Sequence, residues 1–221
     1  MSTGLTILSG LAWTIVYIEA IRLGFKHRTY AMPVAALGLN IAWETIYAAV
    51  EISNGGSIQG VSNLVWALAD VAIVYTFFRF GRSELPMLVP RWLFVTWGAG
   101  ILVVGYVVQW LFIVEFGLYL APRYAAFLQN ALMSGLFIAF FVARRGARGQ
   151  SLTLGVAKWL GTLAPTMLFG VVKGFDPFIL GLGLICSVLD LAYIGLLVWA
   201  RRVPLTISPT VPAGERAAPQ G

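Results

Sequence analysis

One cysteine and one histidine occur in 221 residues, which excludes an internal disulfide, a His/Cys metal cluster and a Cys/His catalytic dyad. Cys186 reads as a small apolar packing residue, and His27 falls in a connection between apolar stretches. Charge is scarce as well: 11% of residues are charged against 59% hydrophobic. So little charge excludes an ordinary soluble domain and fits several membrane spans. Acids are the rarer sign, nine against fifteen Lys and Arg, for a net charge of +6. The cations flank apolar runs, so the excess points to membrane topology and a lipid bilayer, with no nucleic acid as partner. The first apolar run lacks a basic leader and a small-residue cleavage pattern, and its Lys/Arg cluster follows it. It is therefore expected to stay as a span and not to be cleaved as a signal peptide.

Seven apolar runs reach the roughly 20 residues that a helix needs to cross the hydrocarbon. They lie near 5–24, 32–51, 61–80, 92–114, 119–143, 152–172 and 178–200. This pattern predicts an all-α integral membrane protein, a seven-transmembrane-helix bundle over residues 1–203. Residues 204–221, rich in Pro and Ala, are expected as a disordered cytoplasmic tail. Arg22, Lys26, Arg28, Arg79, Arg82, Arg91, Arg144, Arg145, Arg148, Lys158, Arg201, Arg202 and Arg216 are assigned to alternate connections and the tail. Only Arg123 and Lys173 are assigned to the other side. The positive-inside rule then puts the N-terminus outside and the C-terminus in the cytoplasm. Pro165, inside the sixth run, predicts a kink.

Three acids break the rule that charge stays at span ends. With about 1.5 Å of rise per residue, Glu44 lies roughly 18 Å into the second span, Asp70 roughly 15 Å into the third and Asp190 roughly 18 Å into the seventh. Intramembrane acids are costly and mark function more often than packing. Asn130 reaches a similar depth beside Gln129, and Asn40 lies one helical turn from Glu44 on the same face. Polar groups from four helices are expected to line one cavity, with no basic side chain at that depth.

Aromatic residues accompany the acids. Glu44 is followed by Tyr47 and Asp190 by Tyr193, a spacing that places carboxyl and phenol on one helical face. Trp43 adjoins the first acid and Trp66 lies one turn before Asp70. Trp13, Trp92, Trp159 and Trp199, near span ends, read instead as interfacial anchors. A carboxyl buried without a cation is expected to rest protonated. A neutral acid among aromatic faces suits protonation of an alkene or epoxide, followed by a carbocation that each ring stabilises by about 0.5–2 kcal/mol. That chemistry is polyene cyclisation. A small proton-coupled transporter, using the same carboxyls as a relay, is the alternative. A retinal protein is excluded, because the last span has no lysine for a Schiff base.

The stretch Asn40-Ile-Ala-Trp43-Glu44-Thr-Ile-Tyr47, with Asp70, Gln129-Asn130-Ala-Leu-Met133-Ser134 and Asp190-Leu-Ala-Tyr193, resembles the integral-membrane terpene cyclases. These comprise the fungal meroterpenoid (pyripyropene) and paxilline-type enzymes and bacterial drimentine-type indole sesquiterpene cyclases. The resemblance implies a metal-independent, proton-initiated cyclase of prenylated aromatic or peptide substrates, with no cofactor. It makes Glu44 and Asp190 the essential acids. Glu44 is expected to deliver the proton, Asp190 to position or exchange it, and Asp70 with Asn130 to complete the network. The roles of Glu44 and Asp190 can also be exchanged, and initiation at an alkene or at an epoxide both fit. Asn40, Trp43, Tyr47, Trp66, Asn130 and Tyr193 become the substrate-binding set. The DDxxD of metal-dependent terpene synthases and the DxDD of soluble protonating cyclases are both missing. An upstream prenyltransferase, and an epoxidase for epoxide substrates, are implied partners in the pathway. The short chain and its tail point to a bacterial cytoplasmic membrane, or to the endoplasmic reticulum in a eukaryote. An amide in place of Glu44 or Asp190 is expected to stop turnover and leave folding intact.

Overall fold

Helices make up nearly all of the described chain, residues 2–202 of the computed structural model, and no strand occurs among them. They are α1 (Ser2–His27), α2 (Val34–Ser53), α3 (Ile58–Phe80), α4 (Arg91–Ala143), α5 (Leu152–Met167) and α6 (Pro177–Arg202). The expected tail at 204–221 lies outside the described residues.

Local chemistry explains the helix starts. Ser57 Oγ accepts from the Gly60 N–H at 2.9 Å and Ser151 Oγ from the Leu154 N–H at 3.1 Å, capping α3 and α5. Asp176 does the same for α6, accepting from the N–H groups of Phe178 and Ile179 at 3.0 and 3.1 Å. Pro177 opens that helix at a position where its missing N–H costs no helical bond.

α4 corrects the span count. The runs at 92–114 and 119–143 fall on one element, so six α-helices stand in place of the expected seven. A single non-helical residue lies between the two runs: Gly117, at φ 67° and ψ 167°, a conformation essentially reserved for glycine. A straight helix of 53 residues would be about 80 Å long, far beyond a bilayer's hydrocarbon. α4 instead doubles back. Gln109 Nε2 donates to Gln129 Oε1 at 2.9 Å, although a straight helix would hold those residues about 30 Å apart. The rings of Phe116 and Tyr124, on either side of the bend, meet at 5.3 Å. α4 is thus a hairpin of two arms joined by one glycine.

Pro165 does not end α5. Its missing N–H frees the carbonyl of Gly161, which accepts from Ser9 Oγ of α1 at 2.8 Å, and the chain continues as a π-helical turn over Leu168–Val172.

The surface is inverted relative to a soluble protein. Ile15, Leu68, Val107, Leu111 and Val188 face outward, whereas Asn40, Glu44, Asp70, Gln109, Gln129, Lys158 and Asp190 are buried. Apolar outside and polar inside is the arrangement that lipid demands. Five segments are long and apolar enough to cross a membrane: α1, Ile58–Glu84, α4, Leu152–Val172 and α6. α2 carries Glu44 and packs chiefly against α4 and α3. That contact is close, since a Cβ on Gly105 of α4 would stand 2.1 Å from the Gly38 carbonyl oxygen of α2.

One end of the bundle is tied by polar side chains. Arg144 donates to Glu84 Oε2 and to Thr29 Oγ1, each at 2.8 Å, and Thr29 also hydrogen-bonds Glu84. Burial under the rings of Tyr30 and Phe140 lowers the Arg144 guanidinium from its ordinary value, and Glu84 pulls it back up. The Gly149 N–H donates to His27 Nδ1 at 3.0 Å, closing the α4–α5 connection onto the end of α1. The opposite end holds the cavity.

Candidate active site

A cavity of about 610 Å³ runs from that end into the middle of the bundle, lined by α1 to α5 and the π-helical turn after α5, but not by α6. Its volume is that of a small-molecule site. The deep walls are aromatic: Trp13, Tyr17, Trp43, Tyr47, Trp66 and Phe127. Hydrogen bonds fix the indoles. Trp43 Nε1 donates to the Pro122 carbonyl at 2.9 Å, and Trp66 Nε1 donates to Thr14 Oγ1 at 3.2 Å. Tyr17 and Trp66 stack with centroids 6.0 Å apart, and Trp43 tilts against Tyr47 at 5.1 Å.

Glu44 lies on this wall and is 2% exposed; Asp70 of α3 lies behind it, fully enclosed. Asn40 joins them. Its Nδ2 donates to Glu44 Oε1 at 3.2 Å and to Asp70 Oδ2 at 3.1 Å, and it also reaches the Tyr17 hydroxyl. Tyr17 in turn donates to Glu44 Oε1. The Asn40 amide is oriented from the hairpin: Gln129 Nε2 donates to Asn40 Oδ1 at 3.4 Å, and Gln109 Nε2 holds Gln129 Oε1. Glu44 Oε2 and Asp70 Oδ1 have no hydrogen-bond partner among the described residues, and the Asn40 amide bridges the two carboxyl groups.

Asp190 belongs to a different group. Lys158 Nζ donates to Asp190 Oδ1 at 2.8 Å, to Oδ2 at 3.0 Å and to Ser134 Oγ at 2.7 Å. Lysine and aspartate are 0% and 1% exposed. Ser134 passes the connection on to the Asn130 carbonyl at 2.9 Å. This ion pair clamps α5 to α6 and to the second arm of α4, immediately behind the cavity residues Asn130 and Thr162.

The family model of Pyr4-like transmembrane terpene cyclases matches residues 1–203. The chain belongs to that family. The cyclase is 31% identical over 172 residues to the Pyr4-family terpene cyclase mfmH of Annulohypoxylon moriforme, covering 75% of this chain and 69% of the relative. It is 27% identical over 214 residues to terpene cyclase pyr4 of Aspergillus fumigatus, covering 87% and 84%. Terpene cyclase macJ of Penicillium terrestre is 30% identical over 176 residues, covering 75% and 65%. No solved structure matches. The chain is a terpene cyclase, and family and apolar helices together make it a multi-pass membrane protein. The relatives are fungal, so they give no support to a bacterial membrane.

The cyclase brings some of the sequence-derived residues together and separates others. Asn40, Trp43, Glu44, Tyr47, Trp66 and Asn130 all line the cavity. Asp70 does not reach it and stands behind Glu44. Asp190 and Tyr193 do not line it either; Tyr193 is packed against Phe137 with centroids 5.3 Å apart. The expectation that no cation reaches this depth is overturned by Lys158. It is the seventh residue of α5, nearly two turns past the helix start, and it faces inward instead of lying in a connection. Asn130 donates to the Ala126 carbonyl and takes no part in the Asp70 network. Trp13, read as an interfacial anchor, is a wall residue. Tyr17 and Gln109 are absent from the sequence-derived set. A phenol sixteen residues into the first helix and a glutamine deep in the fourth run are the depth signals that point to them.

Proposed function

We propose that the cyclase carries out metal-independent, proton-initiated cyclisation of a prenylated substrate, with Glu44 as the acid that delivers the proton. The observation that carries this is the placement of Glu44 on an aromatic cavity wall with a second carboxyl, Asp70, directly behind it. Two carboxyls bridged by one amide and buried together do not both ionise, so the pair keeps a proton. Asp70 keeps it in place, and Asn40 and Tyr17 donate to Glu44 Oε1, which stabilises the carboxylate once the proton has left. The polyene, folded against Trp13, Tyr17, Trp43, Tyr47 and Trp66, takes the proton at a terminal alkene or at an epoxide oxygen. The π-faces then stabilise the carbocation and the enclosed walls keep water from quenching it. Asp190 acts at one remove: through Lys158 and Ser134 it fixes the wall that carries Asn130.

The substrate class that fits is a farnesylated indole, peptide or other meroterpenoid precursor, supplied by a prenyltransferase and, for the epoxide, by an epoxidase. We also propose that each arm of α4 crosses the bilayer, giving seven crossings with the N-terminus outside. The cation distribution supports that orientation even with Lys158 removed from the count. Nothing in the family supports a proton-coupled carrier.

The test is incubation of membranes containing the protein with farnesylated indole and with its terminal epoxide, in D₂O with EDTA. A cyclised isomer that carries one carbon-bound deuterium from the alkene, or a cyclised alcohol from the epoxide, made by wild type and not by Glu44→Gln, is the expected result. Cyclisation undiminished in Glu44→Gln overturns the assignment.

A further inference from the structure

Three lining residues of the cavity are charged: Glu44, Glu51 and Arg123. Glu44 is deep, whereas Glu51 lies two turns further along α2, about 10 Å towards the mouth. Arg123 is the cation on the wall, and it belongs to none of the ion pairs among the described residues. It is held by stacking: its guanidinium carbon sits 4.9 Å from the centroid of Tyr119 and 4.8 Å from that of Phe169. Tyr119 lies one helical turn nearer the Gly117 bend, so the side chain leans towards the mouth. Lys173 flanks Phe169 at 5.1 Å and adds a second positive charge there.

A cavity that must stabilise a carbocation gains nothing from a bare guanidinium on its wall, because like charges repel strongly where water is scarce. An anion beside the guanidinium offsets that repulsion during turnover, and Glu51 on the same wall forms no ion pair with it among the described residues but accepts from Ser57 Oγ at 2.7 Å. Stacking leaves the guanidinium edge, with its planar N–H fork, available to a carboxylate or an acidic phenolate.

We infer that Arg123 is a specificity residue that recognises an anionic oxygen on the polar head of the substrate, holding the head at the mouth and the polyene tail at Glu44. This rests on the cyclase reading of the cavity, and it sets the direction of entry: the end of the prenyl chain goes in first, towards the acid. Neutral prenylated compounds fit the walls but lose this anchor.

Binding tests the inference without requiring turnover, so an enzyme that binds as expected but fails to cyclise refutes the function and leaves Arg123 standing. The probes are farnesylated 4-hydroxybenzoic acid and its methyl ester, titrated into detergent-purified protein and followed by quenching of the cavity tryptophans. Wild type is expected to bind the acid at least tenfold more tightly than the ester. Arg123→Gln is expected to bind the two equally, at the wild-type affinity for the ester, and Arg123→Lys to keep part of the preference. Thermal melting of each variant monitors folding. Equal binding of acid and ester by wild type, binding of neither, or a preference that survives in Arg123→Gln overturns the inference. So does loss of the preference when phosphatidylglycerol is added to the micelles, since Arg123 would then be a headgroup site.

Discussion

Asp190 places both carboxylate oxygens on one nitrogen, with Lys158 Nζ 2.8 Å from Oδ1 and 3.0 Å from Oδ2 in a fully buried pair. Removal of either partner leaves a lone charge in the interior, which costs about 3–5 kcal/mol. Lys158→Met and Asp190→Asn are therefore both expected to melt well below wild type in detergent. The double variant Lys158→Met/Asp190→Leu is expected to recover most of the loss. An Asp190→Asn protein as stable as wild type, yet inactive, would move Asp190 from support into the reaction itself.

Glu44 is expected to behave differently, because no cation depends on it. Glu44→Gln keeps shape and hydrogen bonds to Tyr17 and Asn40, so melting should stay near wild type. Turnover should fall by about 10²–10⁴, the usual contribution of a general acid. Glu44→Asp, which draws the carboxyl back by one methylene, should fall between the two. Product formation per folded protein checks the order.

Asn40 acts on the acids through its amide, donating to Glu44 and Asp70 at 3.2 and 3.1 Å. Asn40→Ala should lower kcat by about tenfold or more, and raise KM less, because the lost bonds lie between the protein's own groups. The orphaned acceptors should also cost about 1–3 kcal/mol of stability. Gln129→Leu, which lets the Asn40 amide turn, is expected to show the same split in weaker form. An equal rise in KM for either would place the amide on the substrate.

The sequence made the helical class and the Asn40–Glu44–Tyr47 face legible, because depth and helical periodicity are linear quantities. Those residues share a helix, so their relation needs no tertiary information. The partner of Glu44 was not legible in the same way. Asp70 and Asp190 lie at similar depths, and only packing decides that Asp70 stands behind Glu44 while Lys158 takes Asp190. Lys158 was misplaced because a lysine near a helix start reads as a snorkelling end residue; its inward direction is set by Ser134 and Asp190 on other helices. The two arms of α4 are legible as the runs 92–114 and 119–143, but their joining into one element is not, since a one-residue break at Gly117 has none of the polar loop composition that marks a connection.

Two crossings by α4 put both of its ends on one side of the membrane, whereas one crossing would separate them. Cysteines at Met87, in the exposed connection before α4, and at Ala143, at its end, should therefore react together with a membrane-impermeant maleimide. A cysteine at Ser53, at the far end of α2, should react from the opposite side. All three positions are exposed, and the native Cys186 is buried. Opposite labelling of Met87→Cys and Ala143→Cys would leave the hairpin without its second crossing.

Gly105 is where the hairpin presses on the acid-bearing helix. A Cβ there would stand 2.1 Å from the Gly38 carbonyl oxygen, which is backbone and cannot rotate away. Close approach through small residues is how membrane helices gain contact when burial from water offers no driving force. Gly105→Ala must therefore push α4 off α2, with overpacking worth about 1–3 kcal/mol. The displacement carries Gln109, one turn further along, away from Leu39 and Gln129, so the amide chain to Asn40 loosens as well. Loss of melting temperature and loss of turnover should appear together. Gly100→Ala in the same arm meets nothing within 4 Å and supplies the control, since added helix propensity should leave it as stable as wild type or more so. Equal stability of the two variants would mean that the α2–α4 contact is looser than its geometry requires, and with it the orientation of Glu44.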